Sequence, residues 1–272
     1  MFPDDTKVWQ IIRDKNDNLK LQQDLQSLEA WSEKWLLGFN AAKCKMMHMG
    51  RESGVKYYLG ETKEKNELKK SELERDLGIW IGKDLKWGEQ CGKAAKKAMT
   101  VLGMIKRSFE MIDEKGFIIL YNTYVRPHLE YCVQAWSPYL MKDIECLEKV
   151  QRRATKMICG FNKLTYEERL KRLKLYTLEE RRVKGDLIEV YKIVTVKDKI
   201  DNRRLFQLVN TRYLRGNSLK LFKKPARLEL RRKYFTMRVV ENWNKLPDSV
   251  VLAESVEVFK NRLDEWMLRY RH

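Results

Sequence analysis

Gln90-Cys91-Gly92-Lys93-Ala94-Ala95-Lys96-Lys97-Ala98-Met99-Thr100-Val101-Leu102-Gly103-Met104-Ile105-Lys106 is the stretch in which the chain changes period. Ala94, Ala98, Val101, Leu102 and Ile105 fall on one face of a helix, and Lys93, Lys96, Lys97 and Lys106 lie largely elsewhere. Ahead of it the patterning is mixed. Residues 6–13 are β-branched and aromatic and read as a strand, and residues 14–18 as a polar turn. Residues 19–37 read as a helix ended by Gly38, with Leu21, Leu25, Leu28, Trp31 and Trp35 on a face expected to pack in a core. Residues 43–49, 57–60 and 77–81 read as short strands, and residues 61–71 as a charged loop. The first 88 residues therefore predict a small antiparallel sheet backed by one helix.

Beyond Gln90 the chain reads as helices. One spans 114–125 and is expected to stop at Pro127, which disfavours helix at Arg126. Another spans 142–159, built on Ile144, Leu147, Val150 and Ala154. Thr165 with Glu168 and Thr177 with Glu180 are capping boxes that open helices to about 173 and 196. Residues 201–233 form a basic connector, and 238–243 and the stretch from 255 are helical. On the last of these, Val256, Phe259, Leu263, Trp266 and Tyr270 predict a docked face. The expected fold class is α+β, with divisions at 1–88, 89–200 and 201–272.

Of the 272 residues, 43% are hydrophobic, enough for a packed core, and the net charge is +18. Residues 1–150 hold 25 basic and 23 acidic side chains; residues 151–272 hold 31 and 15, which points to a polyanionic partner. The five cysteines contain no C-x-x-C pair and the three histidines are scattered, so no zinc cluster is legible and inert free thiols are expected. With no signal peptide and no 18-residue apolar run, the expectation is an intracellular protein, nuclear or cytoplasmic, neither secreted nor membrane-bound. No Ser/His/Asp triad, glycine-rich phosphate loop or zincin helix is present.

Asp4 and Asp5 follow Phe2-Pro3, and paired carboxylates at a tight turn suit Mg²⁺. They head a longer series. Trp31-Ser32-Glu33-Lys34-Trp35 comes next, then Phe39-Asn40-Ala41-Ala42-Lys43-Cys44-Lys45, then Asp76-Leu77-Gly78-Ile79. Tyr124-Val125-Arg126-Pro127, Leu147-Glu148-Lys149-Val150-Gln151-Arg152-Arg153-Ala154 and Trp243-Asn244-Lys245-Leu246-Pro247 follow. In order and spacing this series resembles the C-terminal half of reverse transcriptases from LINE-type (non-LTR) retrotransposons, the jockey-like group in particular. Pro3 stands where that family usually has Ala.

The resemblance implies an RNA-directed DNA polymerase that extends a DNA primer on an RNA template with Mg²⁺. Residues 1–88 would be part of its palm, 89–200 a helical thumb and 201–272 a basic connector with a C-terminal helix. Asp4 and Asp5 would hold the metal, and Lys43 would lie near the incoming nucleotide. Lys93, Lys96 and Lys97, with Arg152, Arg153 and Lys156 on the helix after them, are candidate phosphate contacts, joined by Arg231, Arg232 and Lys233 in the basic connector. Template RNA and primer DNA, or their hybrid duplex, are the expected partners. In the family the fingers and the strand bearing a third catalytic Asp precede the Asp-Asp box. The expectation for this chain alone is therefore nucleic-acid binding without primer extension, which an extension assay with dNTPs and Mg²⁺ reads directly. The alternative is a non-enzymatic nucleic-acid-binding or protein-interaction module derived from such an enzyme.

Overall fold

A computed structural model describes residues 6–50, 52, 54–60, 66–195, 202–209 and 217–269. The fold is mixed α+β and mainly helical, and contacts divide the chain into two compact units, Met1–Glu89 and Gln90–His272. Among the described residues no helix is long and apolar enough to cross a membrane.

In the first unit, helix α1 (Lys15–Lys34) starts earlier than expected because Asp14 caps it. The Asp14 carboxylate accepts from the Asn16 and Asp17 amides at 2.8 and 3.1 Å, and Asp17 reaches back to the Asp14 amide. What read as a polar turn is a capping box. The helix ends at Trp35, followed by Leu36 in a left-handed conformation at φ +54°, ahead of Gly38. Strand pairing is slight. β1 (Lys45–Met46) pairs in parallel with β4 (Lys69–Lys70), and β2 (Tyr58–Leu59) pairs antiparallel with β3 (Asn66–Glu67).

The third pair is a hairpin of β5 (Leu73–Asp76) and β6 (Ile79–Gly82), where a single strand over 77–81 was expected. Its two-residue turn is Leu77-Gly78, at φ +46° and +85°. Two consecutive positive φ angles define the turn whose twist matches a hairpin, and glycine takes that conformation without steric cost.

Two further expectations fail in this unit. Residues 6–13 form no strand and are largely exposed, since an extended segment gains nothing without a neighbour to complete its ladder. Nor is there one antiparallel sheet: the described strands make three separate pairs. The core is small, made of Tyr57, Leu59 and Leu68 against Leu21, Leu25, Phe39, Cys44, Met46 and Val55. Polar side chains of α1 hold β2. Tyr57 donates to Asn18 at 2.7 Å, and Gln22 bonds both the amide and the carbonyl of Tyr58 at 3.0 and 2.9 Å. Trp31 and Trp35 lie outside that core, Trp35 with 60% of its surface exposed, so their expected core role is overturned.

The second unit starts from α2 (Gly88–Ser108), which buries Ala94, Ala95, Ala98, Leu102 and Ile105. Helix α3 (Glu114–Leu120) runs on through a π-helical turn (Tyr121–Val125) into α4 (Arg126–Glu130). Pro127 does not end the helix, contrary to expectation. The Arg126 amide bonds back to the Tyr121 carbonyl, and Pro127 follows directly on this π-turn, at the second residue of α4.

Helices α5 (Met141–Thr155), α6 (Tyr166–Leu173) and α7 (Leu178–Val194) follow. Thr165 and Thr177 form the two expected capping boxes. After α8 (Asn202–Leu205) and α9 (Glu229–Arg232), α10 (Phe235–Asn244), α11 (Asp248–Val251) and α12 (Val256–Arg269) pack with α7 on one core. That core joins Leu187, Val190 and Tyr191 to Phe206, Leu221, Trp243, Phe259 and Leu263, so residues on both sides of position 200 share it.

Asn217 is buried and donates to the carbonyls of Trp243 and Leu246 at 3.1 and 2.9 Å. Trp243 donates its indole N–H to the Leu219 carbonyl at 2.7 Å, and Asn244 bonds both backbone groups of Leu221 at 2.9 Å. The Trp243–Leu246 motif is thus a stitch between α10 and the segment 217–221. All five cysteines are free. Burial pushes the Cys91 thiol up to about 12, as expected of an inert thiol, whereas Cys132 and Cys159 are exposed.

Phe259 is fully buried, stacked on Tyr191 at 4.3 Å and near Trp243 at 6.1 Å. Phe259→Ala is expected to cost about 3–5 kcal/mol in a denaturant titration. Trp266→Ala, at a half-buried position, is expected to cost less. Equal and negligible losses would remove the docking of α12.

Candidate nucleic-acid interface

Helix α5 carries the Leu147–Ala154 motif, and its 3.6-residue period separates that motif into two sets. Leu147, Glu148, Val150, Gln151 and Ala154 face inward, while Lys149, Arg152 and Arg153 face out. The inward polar pair is fully engaged. Tyr121 donates to Gln151 Oε1 at 2.5 Å, and Gln151 Nε2 donates to the Tyr166 hydroxyl and the Tyr176 carbonyl, both at 2.9 Å. Tyr166 in turn donates to Glu148, whose other oxygen accepts the Leu178 amide at 3.1 Å. Burial, followed by neighbouring negative charge, pushes both tyrosine hydroxyls far above their ordinary range, so they remain donors. Half of the motif therefore builds a core network joining the π-turn, α5, α6 and the start of α7.

Arg182 lies behind this network, 4% exposed, with Nη1 and Nη2 lacking hydrogen-bond partners. Desolvation lowers its pKa, and the charges of Glu148 and Glu179 offset part of that penalty.

The outward cations cluster at the C-terminus of α5. The Arg152 guanidinium sits 4.7 Å from the centre of the Tyr166 ring, and Arg169 lies 5.6 Å from it. Arg169 also donates to the Arg152 carbonyl at 3.2 Å, which fixes the end of the helix. Arg153 and Lys156 are exposed beside it. Three cations at a helix C-terminus oppose the exposed carbonyl dipoles, so this cluster has a structural reason to exist besides any anion it meets.

On α2, Lys93, Lys96 and Lys97 are exposed on the side away from the buried alanines. Burial first and the Lys97 charge second hold His128 on α4 below the usual histidine range, so it adds no positive charge near neutral pH. In the third group, Arg231 sits 5.4 Å from the Tyr234 ring centre and Lys233 is exposed. Arg232 donates to the carbonyls of Ala226 and Arg227 at 3.1 and 3.0 Å, so it staples its own loop.

The three groups of candidate cations occupy three different elements of the helical unit. Their common property is charge: residues 1–89 contain 16 basic and 16 acidic side chains, so the whole +18 belongs to residues 90–272. Residues 201–233 alone hold 11 basic and 2 acidic residues.

The candidate polymerase residues fare differently. Asp4 and Asp5 lie outside the described residues. Lys43 is exposed in a turn of the first unit, its amide bonded to the Asn40 carbonyl at 3.0 Å. Among the described residues, no group of three or more His, Cys, Asp or Glu is placed to hold a metal.

No family model, curated protein or solved structure matches the chain.

The buried half of the α5 motif is expected to separate from the exposed half by substitution. Gln151→Ala strands the Tyr121 hydroxyl and the Tyr176 carbonyl, and is expected to cost roughly 1–3 kcal/mol for each orphaned group. Arg153→Gln with Lys156→Gln is expected to leave the unfolding midpoint nearly unchanged. Thermal unfolding of the two variants checks both; a neutral Gln151→Ala would disprove the network's role.

Proposed function

We infer that the helical unit binds nucleic-acid backbone, in a chain derived from the C-terminal half of a non-LTR retrotransposon reverse transcriptase. The observation that carries the binding is the segregation of charge, with no net charge on residues 1–89 and +18 on residues 90–272. Exposed Lys and Arg on α2, on α5 and around α9 neutralise phosphates and fix the position of a strand or duplex without reading bases. The reverse-transcriptase assignment is supported by the motif series. In that reading the first unit corresponds to part of a palm and the helical unit to a thumb with its C-terminal region; Asp4 and Asp5 take Mg²⁺ and Lys43 attends the incoming nucleotide.

A second reading, a protein-interaction module, is favoured by one observation on the first unit. Trp31, Trp35, Leu36 and Leu37 at the end of α1 are exposed, and Trp9 is 80% exposed; large apolar side chains left uncovered are of the kind that partners cover.

Salt dependence tests the binding. Anisotropy of a labelled RNA–DNA hybrid between about 50 and 200 mM salt is expected to give a log–log slope near −0.9 per phosphate contact. Lys96→Gln, Lys97→Gln and Lys233→Gln together are expected to flatten that slope by about 2–3. Lys69→Gln with Lys86→Gln in the neutral unit is expected to leave it alone. Salt-insensitive binding, or none at low salt, contradicts the proposal and favours the interaction module.

A further inference from the structure

The segment between the 217–221 stitch and α10 combines two features that a plain phosphate-binding surface does not need together. It is basic, with Lys220, Lys223, Lys224, Arg227, Arg231, Arg232 and Lys233 against a single acid, Glu229, within residues 217–233. It also presents aromatic rings to solvent. Phe222 is 47% exposed and Tyr234 is 50% exposed. Exposing two rings forgoes the hydrophobic gain of burying them, and the nearby core holds Trp243, Phe259 and Tyr191 fully buried.

The backbone around both rings is held in place. The Leu221 backbone is bonded at both groups by Asn244, the Phe222 amide donates to the Gln207 carbonyl at 2.7 Å, and Lys223 pairs with Glu241. Residues 221–223 therefore run alongside the second half of α10. The chain then turns back through α9, where Arg232 ties the loop by its two carbonyl contacts, and reaches Tyr234 at the first turn of α10. Glu241 and Tyr234 are seven residues apart, about 10 Å of helical rise and close to three base steps at ~3.4 Å each. The Arg231 guanidinium lies over the Tyr234 ring, 5.4 Å from its centre, so it covers one face of the ring and brings a cation to the same place.

Bases inside a duplex are stacked on one another and offer no free face to a ring on the protein surface. Unpaired bases do, and a basic track with interspersed aromatic rings holds single strands with little sequence preference, phosphates on the cations and bases on the rings. We propose that residues 222–234 form a stacking platform for single-stranded nucleic acid, with Phe222 and Tyr234 as the base contacts and Lys224, Arg227, Arg231 and Lys233 as the phosphate contacts. This deepens the nucleic-acid reading above and rests on it. The rings take unpaired bases, while the cations of the platform, of α2 and of α5 engage backbone in either form.

The test uses the full chain and two labelled ligands of equal length, an unpaired oligonucleotide of mixed sequence and the RNA–DNA hybrid. Single strand is expected to bind more tightly than hybrid. Tyr234→Ala and Phe222→Ala are each expected to weaken single-strand binding by about fivefold or more while changing hybrid affinity by less than about twofold. Retained hybrid affinity then serves as the folding control. Tyr234→Phe keeps the ring and is expected to retain wild-type affinity. A hybrid preference, or alanine variants with wild-type single-strand affinity, overturns the platform while leaving backbone binding intact. Failure of the wild-type chain to bind either ligand overturns the nucleic-acid reading itself.

Discussion

The helical unit depends on one buried ion pair. Arg238 on α10 engages Asp186 on α7 through two nitrogens, at 2.8 and 2.9 Å, and both side chains are largely buried. The same guanidinium donates to the Val133 carbonyl at 3.0 Å and to the Lys233 carbonyl at 3.3 Å. One side chain thus joins α7, α10, the turn after α4 and the end of α9. Burial raises the Asp186 pKa, and Arg238 pulls it back toward its ordinary range. Such a pair gains little net stability over a well-packed apolar contact, because desolvation consumes most of the attraction. Its consequence is specificity: with Arg238 bonded to Asp186, Val133 and Lys233, the basic segment before α10 has one place to lie.

The same division of labour recurs wherever the chain carries a recognisable motif. Glu148 and Gln151 vanish into a network of tyrosines while Lys149, Arg152 and Arg153 of the same helix remain outside. Trp243 and Asn244 are spent on the backbone of 219–221. Gly78 is spent on a hairpin turn at φ +85°. Motif residues hold the framework, and the exposed charge lies on the cations among them. Stability and binding should therefore respond to different substitutions on one helix.

Local features were legible in the sequence and distant ones were not. Thr165 and Thr177 cap as expected because a capping box is complete within four residues. Helical periods were legible for the same reason. The stretches 43–49, 57–60 and 77–81 do hold β1, β2 and most of β6, but pairing was not legible because a ladder depends on what lies beside it: residues 6–13 have β-forming side chains and no strand, while the charged residues 66–70 supply two short strands. Trp31 and Trp35 show the limit of periodicity, which gives an apolar face without saying whether anything covers it. Among the candidate cations, exposure followed from the pattern, but the use of Arg232 as a loop staple did not, since its partners are backbone carbonyls. Asp186 and Arg238, 52 residues apart, left no trace in local sequence.

A double-mutant cycle on that pair tests the account most directly. If the pair is the constraint proposed, Arg238→Met leaves Asp186 buried and unpaired and costs about 3–5 kcal/mol of unfolding free energy. Asp186→Leu strands the Arg238 guanidinium at comparable cost. The double variant is expected to be destabilised by less than the sum of the two single losses, with a coupling of at least about 1.5 kcal/mol. Additive losses, or single variants with wild-type unfolding curves, would show that α7 and α10 are held without the pair and would contradict the account.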